Sequence, residues 1–237
     1  PDASPRYFLK VNDSISYVSD LYAQKIWLLN YRTRTVVGHI PVNGWTERMM
    51  KLENTILVQQ RINSLLPGSE GAILKINPST HSIVQQITFG SQNVNDILVD
   101  KQNRVWVTLD EDTAHSQSAS IRCMATDFTI LKQWMFSGTN NHPFSLCANT
   151  DSLSVYFFNR HLYLLSYDDM SLPANPLIDC TGRNIYASAV NPSNGEIYLS
   201  DALDYLQRSS IERYSATGVS IHTFNAGIIS CNFVFHE

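Results

Sequence analysis

Apolar residues in this chain come in short runs that alternate with polar ones, and no stretch keeps them at the spacing of an amphipathic helix. The first forty residues set the pattern. "RYFLKV" at 6–11, "ISYVSD" at 15–20, "KIWLLN" at 25–30 and "TVVGHI" at 35–40 are rich in Val, Ile and aromatic residues and are bounded by Asn, Asp, Ser or Gly. Labelled a to d, they read as four strands. Run b returns as "ILVQQ", "VWVTL", "VYFFN" and "IYLSD", starting at Ile56, Val105, Val155 and Ile197, and run c as "AILKIN", "SIRCM", "LYLLSY" and "IERY". The pattern predicts an all-β protein.

Two markers give this recurrence a period. A hairpin formula (a lead residue, two spacers, Thr, Asp or Gly, one spacer, Ser or Thr, an aliphatic) occurs as "NYRTRTV", "NPSTHSI", "MATDFTI", "SYDDMSL" and "SATGVSI". Its Ser/Thr falls at Thr35, Ser82, Thr129, Ser171 and Ser220, in steps of 47, 47, 42 and 49. Glycines opening the next unit stand at Gly44, Gly90, Gly138, Gly182 and Gly227, in steps of 46, 48, 44 and 45. Four strands at a period in the forties predict a β-propeller of four-stranded antiparallel blades. An immunoglobulin-like sandwich would also have short strands, but nothing in it would repeat one turn formula five times. The expected organisation is one domain over 1–237, with blades at about 5–43, 44–89, 90–137, 138–181 and 182–226. Residues 227–237 would form a closing strand, with residues 232–235 as a sixth a strand.

Composition narrows the function classes. At 43% apolar the 237 residues support a full core, and with 16% charged residues and a net charge of −4 spread without runs, nucleic acid is not an expected partner. No apolar stretch is long enough for a transmembrane helix, and "PDASPRYFLK" lacks the charged and apolar regions of a signal peptide. The missing initiator Met points to a mature or trimmed product. Cys123, Cys147, Cys180 and Cys231 form no Cys-x-x-Cys pair, so they read as small buried apolar side chains and no zinc site is expected. The motifs of serine hydrolases, metalloproteases and phosphate-binding loops are absent, so neither an enzyme nor a bound cofactor is expected.

In a propeller the b-to-c and d-to-a loops open on one face, and functional residues favour loops held by a rigid scaffold. Those loops carry Trp45, Tyr186 and Tyr205 as aromatics, Arg48, Arg61 and Arg183 as fork donors, Asn93, Asn95, Asn140 and Asn141 as amides, and His142. Rings supply area while amides and guanidinium groups set orientation, so this inventory suits a polar, partly planar small molecule. Asn in these loops also serves turn geometry, and His142 before Pro143 reads first as a turn residue. Asp20, Asp110 and Asp201 end corresponding b runs. They read as loop-capping acceptors, and as channel-mouth carboxylates only if the protein is a propeller hydrolase. The trio Asp110, Glu111 and Asp112 offers oxygen ligands of the kind Ca²⁺ takes, but without a glycine-turned loop a solvated charged loop is the expectation. The insertion at 59–71, with Leu65 and Leu66 before Pro67, reads as a lid or an ordered loop.

The segments "YVSD", "KIWLLN", "TVVGHIPV" and "VNDILVDKQNRVWV", and above all the last forty residues, carry a family pattern. In that stretch Asp201, Ala202, Asp204, Tyr205, Tyr214, Gly218, Phe224, Gly227, Ile228, Phe233, Val234 and Phe235 take part. In these the chain resembles the YncE-like, surface-layer-type β-propeller proteins of Bacteroidetes. The resemblance implies an exported, lipid-anchored protein on the extracellular face of the outer membrane. It also implies capture of a small nutrient, a cobamide first, for a TonB-dependent outer-membrane transporter; Asp201 joins the loop residues above, Tyr205 among them, as an expected ligand-binding residue. An interaction module that docks proteins is the alternative. The chain departs from the pattern in having Ser230 where the family has Pro, and five complete blades where it often has seven. Five blades plus a spare inner strand lead to the expectation of a seven-bladed parent whose N-terminal segment, about eighty residues at this repeat length, is missing. A closed five-bladed ring is the other possibility.

Overall fold

The computed structural model describes residues 3–151 and 153–235. Among them there is no helix, so none is long and apolar enough to cross a membrane. The chain divides into two compact units after His142. The first holds three sheets of four consecutive antiparallel strands: β1 (Pro5–Lys10) to β4 (Thr35–Pro41) by way of β2 (Ile15–Asp20) and β3 (Lys25–Asn30); β5 (Trp45–Leu52), β6 (Thr55–Arg61), β7 (Ala72–Asn77) and β8 (Ser82–Thr88); and β9 (Val94–Val99), β10 (Val105–Leu109), β11 (Ser120–Met124) and β12 (Ile130–Met135). The second unit holds β13 (Phe144–Ala148), β14 (Ser154–Asn159) and β15 (His161–Ser166), then β16 (Ile185–Val190), β17 (Ile197–Asp201), β18 (Arg208–Tyr214) and β19 (Ser220–Ile228). The fold is an all-β propeller of five antiparallel blades.

The turn formula has a local cause. The Asn30 side chain accepts from the amides of Arg32 and Thr33, and at the next two turns Asn77 accepts from the Ser79 amide and Asp127 from the Thr129 amide. One residue of each turn takes a left-handed conformation: Arg34, His81, Phe128 and, in the last blade, Gly218. A tight turn followed by a left-handed residue matches the right-handed twist of the strands it joins. Middle strands are buried on both faces, which is why β6 opens on the consecutive apolar residues Ile56, Leu57 and Val58. Ile56 and Val58 pack with Tyr17, Ile26 and Leu28 of the first blade, while Leu57 packs with Ile97, Val105 and Val107 of the third. In the second unit Tyr156, Leu162, Ile197 and Leu199 form a separate core.

Three expectations are corrected. The fourth blade has no d strand where Ser171 and Leu172 predict one, only a single bridge between Leu162 and Ile178. Pro173 and Pro176 interrupt the segment and have no N–H to give a ladder. The tail forms no sixth a strand. β19 runs through Gly227 to Ile228, and beyond it Phe233 and Phe235 lay their rings against Tyr198, with centroids 5.9 and 5.3 Å away. Cys123 and Cys180 are buried, but Cys147 is half-buried and Cys231 exposed.

Candidate functional site

Every inner strand carries an irregularity in its pairing. It lies between Pro5 and Phe8, between Thr46 and Met49, opposite Thr108 and Leu109, between Phe144 and Cys147, and between Ile185 and Ala187. A bulge releases one or two residues from the ladder and re-aims their side chains. The released residues include Arg48, Asn95 and Tyr186 of the sequence candidates, together with Arg6, Tyr7 and Glu47, which the sequence pattern did not single out.

In the first unit most of these side chains bind one another across blades. Arg6 pairs with Glu47 at 2.9 Å, and Arg48 donates to both oxygens of Asp96 at 3.1 and 2.9 Å. Tyr7 lies among these four charges, and burial first, then Asp96, pushes its hydroxyl up to about 12. Arg48 thus stitches the second blade to the third. Thr46 Oγ1 adds another stitch, donating to the Asp20 carbonyl and accepting from the Asp20 amide.

A second group stands where β6 and β10 run out into their loops. Asp110 Oδ1 accepts from Asn95 Nδ2 and hydrogen-bonds His142 Nδ1 at 3.1 Å. Asp110 is 13% exposed, and burial holds its carboxyl above the ordinary range against the opposing pull of His142, Asn95 and Arg61. Arg61 is half-buried and close enough for its charge to act on Asp110, yet too far to pair with it. The Arg61 side chain has no hydrogen-bond or ion-pair partner among the described residues, and its Nε is buried. Trp45 is the cross-strand partner of Arg61 and meets the exposed ring of Tyr22 edge-on at 6.4 Å. Asn93 holds the loop from beneath by accepting from the Ile62 amide at 2.9 Å. Arg61, Asn93, Asn95 and His142 therefore gather around Asp110, with Trp45 opposite Arg61 on the neighbouring strand.

Asp20 and Asp201 serve as the loop caps expected of them. Asp20 accepts from the amides of Ser4, Tyr22 and Ala23 and from Trp27 Nε1, and Asp201 Oδ1 accepts from the amides of Asn184 and Leu203. Asp110 does not cap its loop. The longer loop after β10 is capped by Asp112, which takes the amides of Ser116 and Gln117 and the Ser116 hydroxyl. The acidic trio is therefore not the solvated loop expected: Asp112 is buried, and Glu111 turns in to accept from the Asn140 amide at 2.6 Å. In the second unit Arg183 is bound to Glu212 and the Tyr214 hydroxyl, and Tyr186 and Tyr205 form an exposed edge-to-face pair at 6.2 Å.

The Asp110 carboxyl gives a pH prediction. An acid with a raised folded pKa favours the fold while protonated, and that contribution is lost as pH climbs from the ordinary value near 3.8 through the raised one. Asp110→Asn cannot ionise, so in urea denaturation it gains on the wild type as pH rises above the ordinary carboxylate range. A difference that stays flat, or turns the other way, would deny burial the leading role.

No curated protein matches the chain. Among solved structures it is similar to a quinonprotein alcohol dehydrogenase-like protein from Bacteroides thetaiotaomicron, at 14% identity and a TM-score of 0.71, over 94% of this chain and 55% of that one. A protein of unknown function from Bacteroides caccae aligns at 16% identity and a TM-score of 0.60, over 96% and 85%. A luciferin-regenerating enzyme aligns at 14% and 0.61, over 94% and 75%. At such identities the likeness establishes the fold and leaves the chemistry to each protein's own side chains. A family model matches residues 1–229, and by that match the chain belongs to the family described as a domain of unknown function, DUF5074.

Proposed function

We propose that this protein is a non-catalytic propeller that captures a small polar ligand at the Asp110 and Arg61 loops. One observation carries the reading. A half-buried guanidinium without a partner and a largely buried carboxylate held above its range both lower stability, and they stand together at a loop mouth. Proteins keep such features where binding needs them. Asp20 and Asp201, the other carboxylates a hydrolase would use, are occupied in holding loops.

The resemblance of the last blade to surface propellers supports a cobamide as the first ligand to test, an extracellular site on the outer membrane and delivery to a TonB-dependent transporter. Isothermal titration of the purified protein with a panel of cobamides is expected to give saturable heat that Arg61→Ala abolishes. Silence across the panel removes the cobamide. Silence together with no small molecule co-purifying in native mass spectrometry removes capture altogether. The second reading, a protein-docking module, is favoured by the rigid loop of the last blade. There Leu206 is 80% exposed beside the Tyr186 and Tyr205 pair, and Asp204 fixes the backbone by accepting from the amides of Leu206 and Gln207.

A further inference from the structure

The chemistry of the Asp110 and Arg61 gap selects among functional groups, given the capture reading above. Arg61 can only donate, and nothing among the described residues accepts from it. On Asp110, Oδ1 is engaged by Asn95 and His142 while Oδ2 has no partner among the described residues, so the open oxygen can only accept. A group that completes both must offer an acceptor and a donor side by side. A carboxylate has two acceptors and meets Asp110 as a like charge. An ammonium has donors alone and meets Arg61 as one. A hydroxyl must accept and donate through one oxygen, so across side chains that do not pair directly it reaches less far than an acceptor and a donor on neighbouring atoms.

We infer that the ligand presents a carboxamide to this gap, its carbonyl oxygen accepting from the Arg61 guanidinium and its N–H donating to Asp110 Oδ2. The group is neutral, which suits a site whose two charges already balance. It is also planar, and the indole of Trp45, paired across the strands with Arg61, lies on the same sheet face. The site is built rather than incidental. Asn95 and His142 fix the Asp110 carboxylate, and the Arg61 backbone carbonyl is approached so closely by Gly44 that a Cβ there would sit 2.6 Å from it.

Nicotinamide and nicotinate form the deciding pair of probes, because they differ only in the group presented. Titrated by tryptophan fluorescence to about 10 mM, nicotinamide is expected to bind at least about tenfold more tightly than nicotinate, since a site built for a donor rejects the analogue that lacks it. Asp110→Asn, isosteric and checked by its thermal melt, should narrow or reverse that preference, because the repelling charge is gone. Arg61→Gln should weaken both probes. Equal affinities, a nicotinate preference in the wild type, no saturation by either probe, or indifference to both variants overturns the inference. If a cobamide binds the wild type and both variants equally, capture stands and the carboxamide clamp falls.

Discussion

Asp100→Ala is expected to lower the unfolding free energy by about 3–5 kcal/mol, measured by urea denaturation at neutral pH. The residue closes the turn between β9 and β10 and is buried. Its Oδ1 accepts from the amides of Gln102 and Arg104, both at 2.9 Å, which shapes a turn whose Asn103 is left-handed. Oδ2 accepts from Arg104 Nε at 2.7 Å and Trp106 Nε1 at 2.9 Å. Trp106 is fully buried and stacks on Trp134 at 5.5 Å with the rings nearly parallel. Alanine would deprive a buried guanidinium of this carboxylate and a buried indole N–H of its acceptor, and a buried charge that loses its counter-charge is what makes such losses large. Asp100→Asn keeps an acceptor for the turn amides and should recover part of the loss. A loss below about 1 kcal/mol for Asp100→Ala would mean that the ion pair contributes little beyond solvation.

Gly71→Ala is expected to cost about 3 kcal/mol, at the upper end for overpacking, because a Cβ there would lie 1.9 Å from the Gln92 carbonyl oxygen. Backbone must move to make room, and Gly71 is held in place by accepting from the Phe89 amide at 2.8 Å. The displaced residue matters for the site. Gln92 Nε2 donates to the carbonyls of Asp110 and Ser118, and its neighbour Asn93 accepts from the Ile62 amide next to Arg61. Ligand affinity should therefore fall together with stability, although Gly71 touches no ligand. Gly68→Ala is the control: it sits at a φ of +73 with open space around it, so the expected change is about 1 kcal/mol of backbone strain, with binding intact. Equal effects for the two glycines would show that conformational freedom, and not close approach, is what the loop requires.

Local patterning along the chain was enough to place the strands of four of the five blades and their order within each. These depend on local rules: alternation of apolar residues, and a turn formula whose Asn, Asp or Ser accepts from amides two or three residues ahead. The second and third runs of the first blade coincide with β2 and β3 residue for residue. The missing d strand of the fourth blade was legible too, in Pro173 and Pro176, but the repeat formula outweighed it. Tertiary structure alone decided which polar groups are engaged. Arg48 and Arg61 look alike in sequence, yet Arg48 meets Asp96, 48 residues away, while Arg61 has no such partner. Among Asp20, Asp110 and Asp201, which end equivalent strands, a longer loop with its own Asp112 leaves Asp110 facing side chains rather than amides. Pairings of that kind depend on how blades pack and where inner strands bulge, and no spacing along the chain encodes either.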